Sequence, residues 1–150
     1  MLLQPKSRTF QKSRKRRVKL FCSPHCGSWK NAPLEASLKY GDYGILASQG
    51  GKLSSRQLEA TRRALVHSLK KVGRIWLRSF PDLPVTEKPS DVRMGKGKGA
   101  RSFWVAVLRP GQPIFEIQGV SPDLARKASI YASKKLPLKT VFAQRRAPIN

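Results

Sequence analysis

Residues 80–100, FPDLPVTEKPSDVRMGKGKGA, decide how the rest of this chain is read. Pro81, Pro84 and Pro89 each remove a backbone donor and bias the preceding residue away from helix. Gly95, Gly97 and Gly99 free the backbone for positive φ. The stretch is therefore predicted to be a loop, too rich in proline and glycine for helix or strand. A structureless connection of about 20 residues is uncommon in a compact domain unless it has a function. Arg93, Lys96, Lys98 and Arg101 place positive charge along it, and contact with RNA phosphates is the function these residues favour.

On either side the signals are those of strands and helices. Residues 74–79 (RIWLRS) alternate, with Ile75 and Leu77 on one face and Trp76 and Arg78 on the other. Residues 102–108 (SFWVAVL) form a nearly continuous apolar strand, and the turn RPGQ at 109–112 leads to a further strand at 113–118 (PIFEIQ). That pair reads as a hairpin. Trp76, Phe103 and Trp104 read as core or sheet-face residues in preference to base-stacking platforms. Upstream, Ser54 with Gln57 has the capping-box form, and Gly73 is the expected helix stop. Leu58, Leu65, Leu69 and Val72 fall on one face, with Thr61 and Ala64 at its margin. Arg56, Arg63, His67 and Lys70 cluster opposite, with Glu59 the acid among them, and are read as facing RNA. A short strand is predicted at 42–48 (DYGILAS), closed by Gly50 and Gly51. Downstream, Ser121, Pro122 and Asp123 mark a second helix start, with a predicted stripe of Leu124, Ala128, Tyr131 and Ala132. Lys134 and Lys135 suit its C-terminal end, Pro137 stops it, and a last strand follows at 138–143. The fold class is α+β, two helices packed on one side of a mixed or antiparallel sheet. One domain over residues 42–144 is expected, followed by a basic tail at 145–150 containing Arg145 and Arg146.

Charge dominates the composition. Lys plus Arg total 31 against 8 Asp plus Glu, a net charge of +23 in 150 residues. Such self-repulsion calls for a polyanionic partner, nucleic acid first. No segment approaches the roughly 18 consecutive apolar residues of a membrane span, so no membrane partner is expected. Residues 1–20 carry Lys6, Arg8, Lys12, Arg14, Lys15, Arg16, Arg17 and Lys19 without an acid. They read as an RNA-binding arm that orders on its partner, in preference to an organellar presequence, because amphipathic period is weak. Residues 21–41 read as an irregular insertion. Within it, Cys22, His25 and Cys26 offer three zinc ligands where a closed site takes four, and reduced thiols are the favoured reading.

Enzymatic readings fail on spacing. A P-loop needs G-x-x-x-x-G-K and then Ser or Thr, and a dinucleotide site needs G-x-G-x-x-G before a helix. Here Gly95, Gly97 and Gly99 are spaced by twos and a strand follows. The acids Asp82, Glu87 and Asp91 are expected to pair with Lys88 and Arg93 instead of holding a metal. Neither catalysis nor a cofactor is expected.

Four runs then carry a family resemblance: LLQPKSRTFQK (2–12), LSSRQLEATRRAL (53–65), GRIWLRSFPDLPVTEKPSDVRMGKGKGARSFWVAVLRPGQPIFEIQGV (73–120) and LARKASIYASKKLPLKT (124–140). Together they resemble the bacterial-type large-subunit ribosomal protein L sixteen family. The resemblance implies a hammerhead-type α+β fold in the large subunit, bound to large-subunit rRNA and neighbouring ribosomal proteins, with no homo-oligomer. It implies that Arg93, Met94, Gly95, Lys96 and Gly97 face A-site and P-site tRNA near the peptidyl transferase centre. The expected rRNA contacts are Lys6, Arg8, Lys12, Arg14, Lys15, Arg16, Arg17, Arg56, Arg63, Lys70, Lys88, Lys98 and Arg101. Residues 20–40 depart from the family pattern, which favours a mitochondrial ribosome over a plastid or bacterial one. The alternative to the ribosomal reading is a free nucleic-acid-binding or RNA-chaperone protein using the same basic surface.

Overall fold

The structure, a computed structural model, describes residues 3–5, 38–95 and 97–145. The basic arm from Lys6 onward, the Cys22, His25 and Cys26 cluster, Lys96 and Arg146 lie outside the described residues. Among the described residues nine elements follow in order: β1 (Tyr43–Ala47), β2 (Gly51–Ser54), α1 (Ser55–Ser68), β3 (Arg74–Leu77), β4 (Leu83–Glu87), β5 (Ala100–Leu108), β6 (Pro113–Gln118), α2 (Pro122–Ser133) and β7 (Thr140–Gln144). The class is α+β, as expected, with two helices on antiparallel sheets. The sheets number two instead of one: a four-stranded sheet in the order β3-β6-β1-β7 and a three-stranded sheet in the order β2-β5-β4.

That division corrects two expectations. First, β5 and β6 do not form a hairpin, because they belong to different sheets. The 109–112 turn carries the chain between them and docks on the end of β1, where Gly111 N–H donates to the Ala47 carbonyl at 2.7 Å and Ala47 N–H to that of Gln112 at 3.0 Å. Second, residues 80–100 are not one loop. Leu83–Glu87 pairs antiparallel with β5, from Leu83 opposite Val105 to Glu87 opposite Ala100, across an irregularity between Val85 and Thr86. Pro84 is tolerated because β4 is an edge strand, where a missing donor breaks no interior ladder. Gly51 likewise opens strand β2 and is not a turn residue; a side chain there would meet Leu138.

α1 starts as its sequence dictates. The Ser54 hydroxyl accepts from Gln57 N–H at 3.2 Å and the Gln57 side chain accepts from Ser54 N–H at 2.9 Å, a capping box worth about 1 kcal/mol. Leu58, Leu65 and Leu69 are fully buried, each contributing about 1.5–3 kcal/mol. The helix stops short of Gly73. Lys70 and Lys71 take positive φ of 48° and 64°, so the 3.6-residue phase ends at Leu69 and Val72, expected on the buried face, is 54% exposed.

The buried stripe of α2 is also rotated from expectation. Ala125, Ala128, Ser129 and Ala132 are buried, whereas Leu124 and Tyr131 are exposed. Here α2 lies against α1, and small side chains permit that close approach while bulkier ones are turned outward. Ser121 precedes α2 in extended conformation but makes no side-chain cap bond, leaving Pro122 as the start signal. The main core joins both helices to one face of the four-stranded sheet through Ile45, Phe115 and Ile117, and takes in Leu3 from the N-terminal stretch.

Candidate nucleic-acid interface

The β4–β5 ribbon ends in residues 88–99, a connection much shorter than the expected loop. Arg93, Met94, Gly95, Gly97, Lys88, Lys98 and Arg101 are all exposed, and Met94 is 100% so. The three glycines serve different ends. A Cβ on Gly99 would lie 2.5 Å from the Glu87 carbonyl oxygen, so the ribbon's own closure requires glycine there. Gly95 and Gly97 take φ of +95° and +83° with nothing within 4 Å of a Cβ. Their backbone is left-handed and open to an approaching surface. Lys88 reaches back to donate to the Gly95 carbonyl, and Glu87 accepts from the Ser102 hydroxyl at 3.1 Å. The expected pairing of the loop acids with Lys88 is thus replaced: Lys88 braces the loop. The Arg101 guanidinium lies 5.2 Å from the Trp104 ring centroid, and Trp104 is buried while Phe103 is partly exposed.

α1 supplies a second cationic surface. Arg56, Arg63, His67 and Lys70 are exposed on the side away from the leucines. Arg62, Arg63, Val66, His67, Lys70 and Lys71 line one shallow groove there. The sole acid of the helix is neutralised by its neighbours. Glu59 accepts from Arg62 at 2.8 and 2.9 Å and from Arg63 at 3.0 Å. The Arg62 hydrogen bond above all, then that of Arg63, lowers its carboxyl from 4.5 to about 2. The two surfaces are separate. Ser54 pairs with Val105, five residues along β5 from the loop root at Ala100, so α1 begins roughly 17 Å from the loop.

Among the described residues no group of three or more His, Cys, Asp or Glu is placed to hold a metal, and no helix is long and apolar enough to cross a membrane.

Comparison with known proteins decides the family. The profile described as "Ribosomal protein L16p/L10e" matches residues 5–143. The chain belongs to the L16p/L10e ribosomal protein family. It is 47% identical over 144 residues to the large ribosomal subunit protein uL16 of Azorhizobium caulinodans, covering 96% of this chain and 98% of that protein. The uL16 proteins of Beijerinckia indica subsp. indica and Rhodopseudomonas palustris are 45% and 43% identical over the same spans. L16p/L10e is a family of ribosomal proteins and not of enzymes, in agreement with the absence of a catalytic constellation in the sequence. These relatives are bacterial; a mitochondrial origin does not follow from them.

The L16p/L10e chain carries one further charged arrangement that was not anticipated. Glu116, in the middle of β6, is 0% exposed. Its Oε2 accepts from the backbone N–H groups of Tyr40 at 2.6 Å, Gly41 at 2.9 Å and Lys39 at 3.2 Å. Arg78 Nε stands 2.9 Å from Oε1 but makes no hydrogen bond, so the contact is one of charge. Three successive N–H groups converging on one anion form a nest, here filled by the protein's own carboxylate. A lone acid between apolar neighbours in PIFEIQ was the available signal.

Proposed function

We propose that this chain is a structural constituent of the large ribosomal subunit, binding large-subunit rRNA through its basic arm and α1 and presenting residues 93–97 to A-site and P-site tRNA near the peptidyl transferase centre. The observation that carries this reading is the family match across residues 5–143, joined to an exposed, acid-poor loop with open glycine backbone at its tip. Lys and Arg on the arm and α1 neutralise phosphates, and each contact made releases counterions. The mitochondrial assignment is supported by the divergence of residues 20–40 alone.

The test is sedimentation. The tagged chain should travel with large subunits and with monosomes in a sucrose gradient. Travel with small subunits only, or with no ribosomal particle, supports a free RNA-binding protein instead. Arg93→Ala combined with Lys96→Ala should leave subunit incorporation intact and slow tRNA accommodation. Failed incorporation, with normal tRNA handling in the particles that do form, would overturn the loop assignment. Co-localisation of the tagged chain with a mitochondrial marker in its source cells tests the compartment.

A further inference from the structure

The four-stranded sheet has two faces, and the helices cover one of them. Ile75 and Leu77 pack with Ile45, Phe115 and Ile117 into the core. Strand alternation sends Arg74, Trp76 and Glu116 to the other side, where the chain at residues 38–41 crosses. Leu38 is buried there with Leu46 and Ala143. Tyr40, by contrast, remains 47% exposed.

Tyr40 is the centre of an ordered cluster. Its ring is stacked on Trp76 with centroids 6.3 Å apart and planes within 24°. The Arg78 guanidinium lies 4.9 Å from the Tyr40 centroid and Lys39 Nζ 5.6 Å from it. The backbone beneath is locked. Glu116 holds the N–H groups of Lys39, Tyr40 and Gly41, and Gly41 is pressed so close to β6 that a Cβ would lie 2.7 Å from the Ile117 carbonyl oxygen. Glu116 is buried and its charge is met by half-buried Arg78, so among the described residues 38–42 and 74–78 the solvent-exposed charged residues are Lys39, Arg74 and Asp42.

We infer that Tyr40, with Trp76, Lys39 and Arg78, is a stacking site for an unpaired RNA nucleotide on the sheet face opposite the helices. The inference rests on the RNA-binding reading above and adds a contact of a different kind. An aromatic ring takes any base on its π-face while neighbouring cations take the phosphate. The chain's +23 charge favours a nucleic acid here over a protein partner, and the Glu116 nest means that the ring is held before the base arrives, so little ordering is lost on binding.

The experiment uses the full chain and a short single-stranded adenylate oligomer, titrated across a salt series. Tyr40→Leu should weaken binding by about fivefold or more with the salt slope unchanged, because stacking neutralises no phosphate. Tyr40→Phe should bind as the unaltered chain does. Arg63→Ala is the contrast, lowering the slope by about 0.7. Unchanged affinity in Tyr40→Leu, or a loss accompanied by a shallower slope, overturns the site; unchanged affinity is also the outcome if a protein docks there. Should Tyr40→Leu not fold, photocrosslinking of the unaltered chain to an iodouridine oligomer decides. Adducts on Tyr40 or Trp76 support the site, and adducts confined to other residues refute it. Both readouts use free oligomers, so neither depends on co-sedimentation with large subunits, which tests the ribosomal reading separately.

Discussion

Two carboxylates with opposite surroundings make the clearest single-residue arguments. Glu116 is wholly buried against three N–H groups and Arg78. Removing one partner of a buried ionic arrangement strands the others, at a cost of about 3–5 kcal/mol. Glu116→Ala should therefore lower the urea midpoint strongly with little change in m-value. Glu116→Gln, which keeps an acceptor oxygen for the nest but loses the charge facing Arg78, should lose less. An Ala variant within about 1 kcal/mol of the parent would show that the carboxylate does not hold the segment. Glu59, on α1, is held by two arginines. Its carboxyl is lowered from 4.5 to about 2 by Arg62 first and Arg63 second. A carboxyl with a depressed folded pKa stabilises fully above its unfolded value and loses that contribution as pH falls through the folded one. The stability gap between the parent and Glu59→Gln should be constant down to about pH 4.5 and close as pH approaches 2. A gap that persisted in acid would mean that packing, not charge, carries the effect.

At the scale of elements, the β4–β5 ribbon separates glycines needed by the fold from those that the fold leaves open. Gly99→Ala drives a Cβ to 2.5 Å from the Glu87 oxygen and 2.8 Å from its carbonyl carbon, and backbone cannot swing aside. Hydrogen-exchange protection should drop along both β4 and β5. Gly95→Ala meets only the left-handed penalty of about 1–2 kcal/mol at the tip, so protection of the strands should persist. Equal loss in the two variants would contradict this division. The same ribbon shows what sequence conceals. Length, caps and periodicity made α1, β1, β3 and β6 legible to within a few residues, and exposed Arg56 and Arg63 followed from the helical phase of Leu58 and Leu65, whereas Lys70 lies past the helix end. Strand β4 was hidden because Pro84 argues against an interior strand and is silent about an edge one. The false β5–β6 hairpin has a related cause: a turn sequence specifies reversal and not which sheet receives the next strand. Tyr40, Arg78 and Glu116 are distant in sequence and meet only through sheet register, so no local pattern announces their cluster.

For the whole molecule, the excess of 31 basic over 8 acidic residues acts oppositely on folding and on binding. In the free chain like charges repel across the surface, and the pairing of Glu59 with Arg62 and Arg63 relieves only a small part of it. Added salt shortens the Debye length from about 30 Å at 0.01 M to about 10 Å at 0.1 M, so repulsion between separated cations is screened while the apolar core is little affected. The thermal midpoint of the free chain should therefore rise over this range. RNA binding depends on the same cations through counterion release, so affinity should fall over that range, with log K declining by about 0.7 per single-strand phosphate neutralised for each tenfold rise in salt. Measured on one preparation, a rising midpoint with falling affinity places the charge excess at the binding surface. A midpoint that fell alongside affinity would mean that internal ion pairs, not an unpartnered cationic surface, dominate the chain's electrostatics.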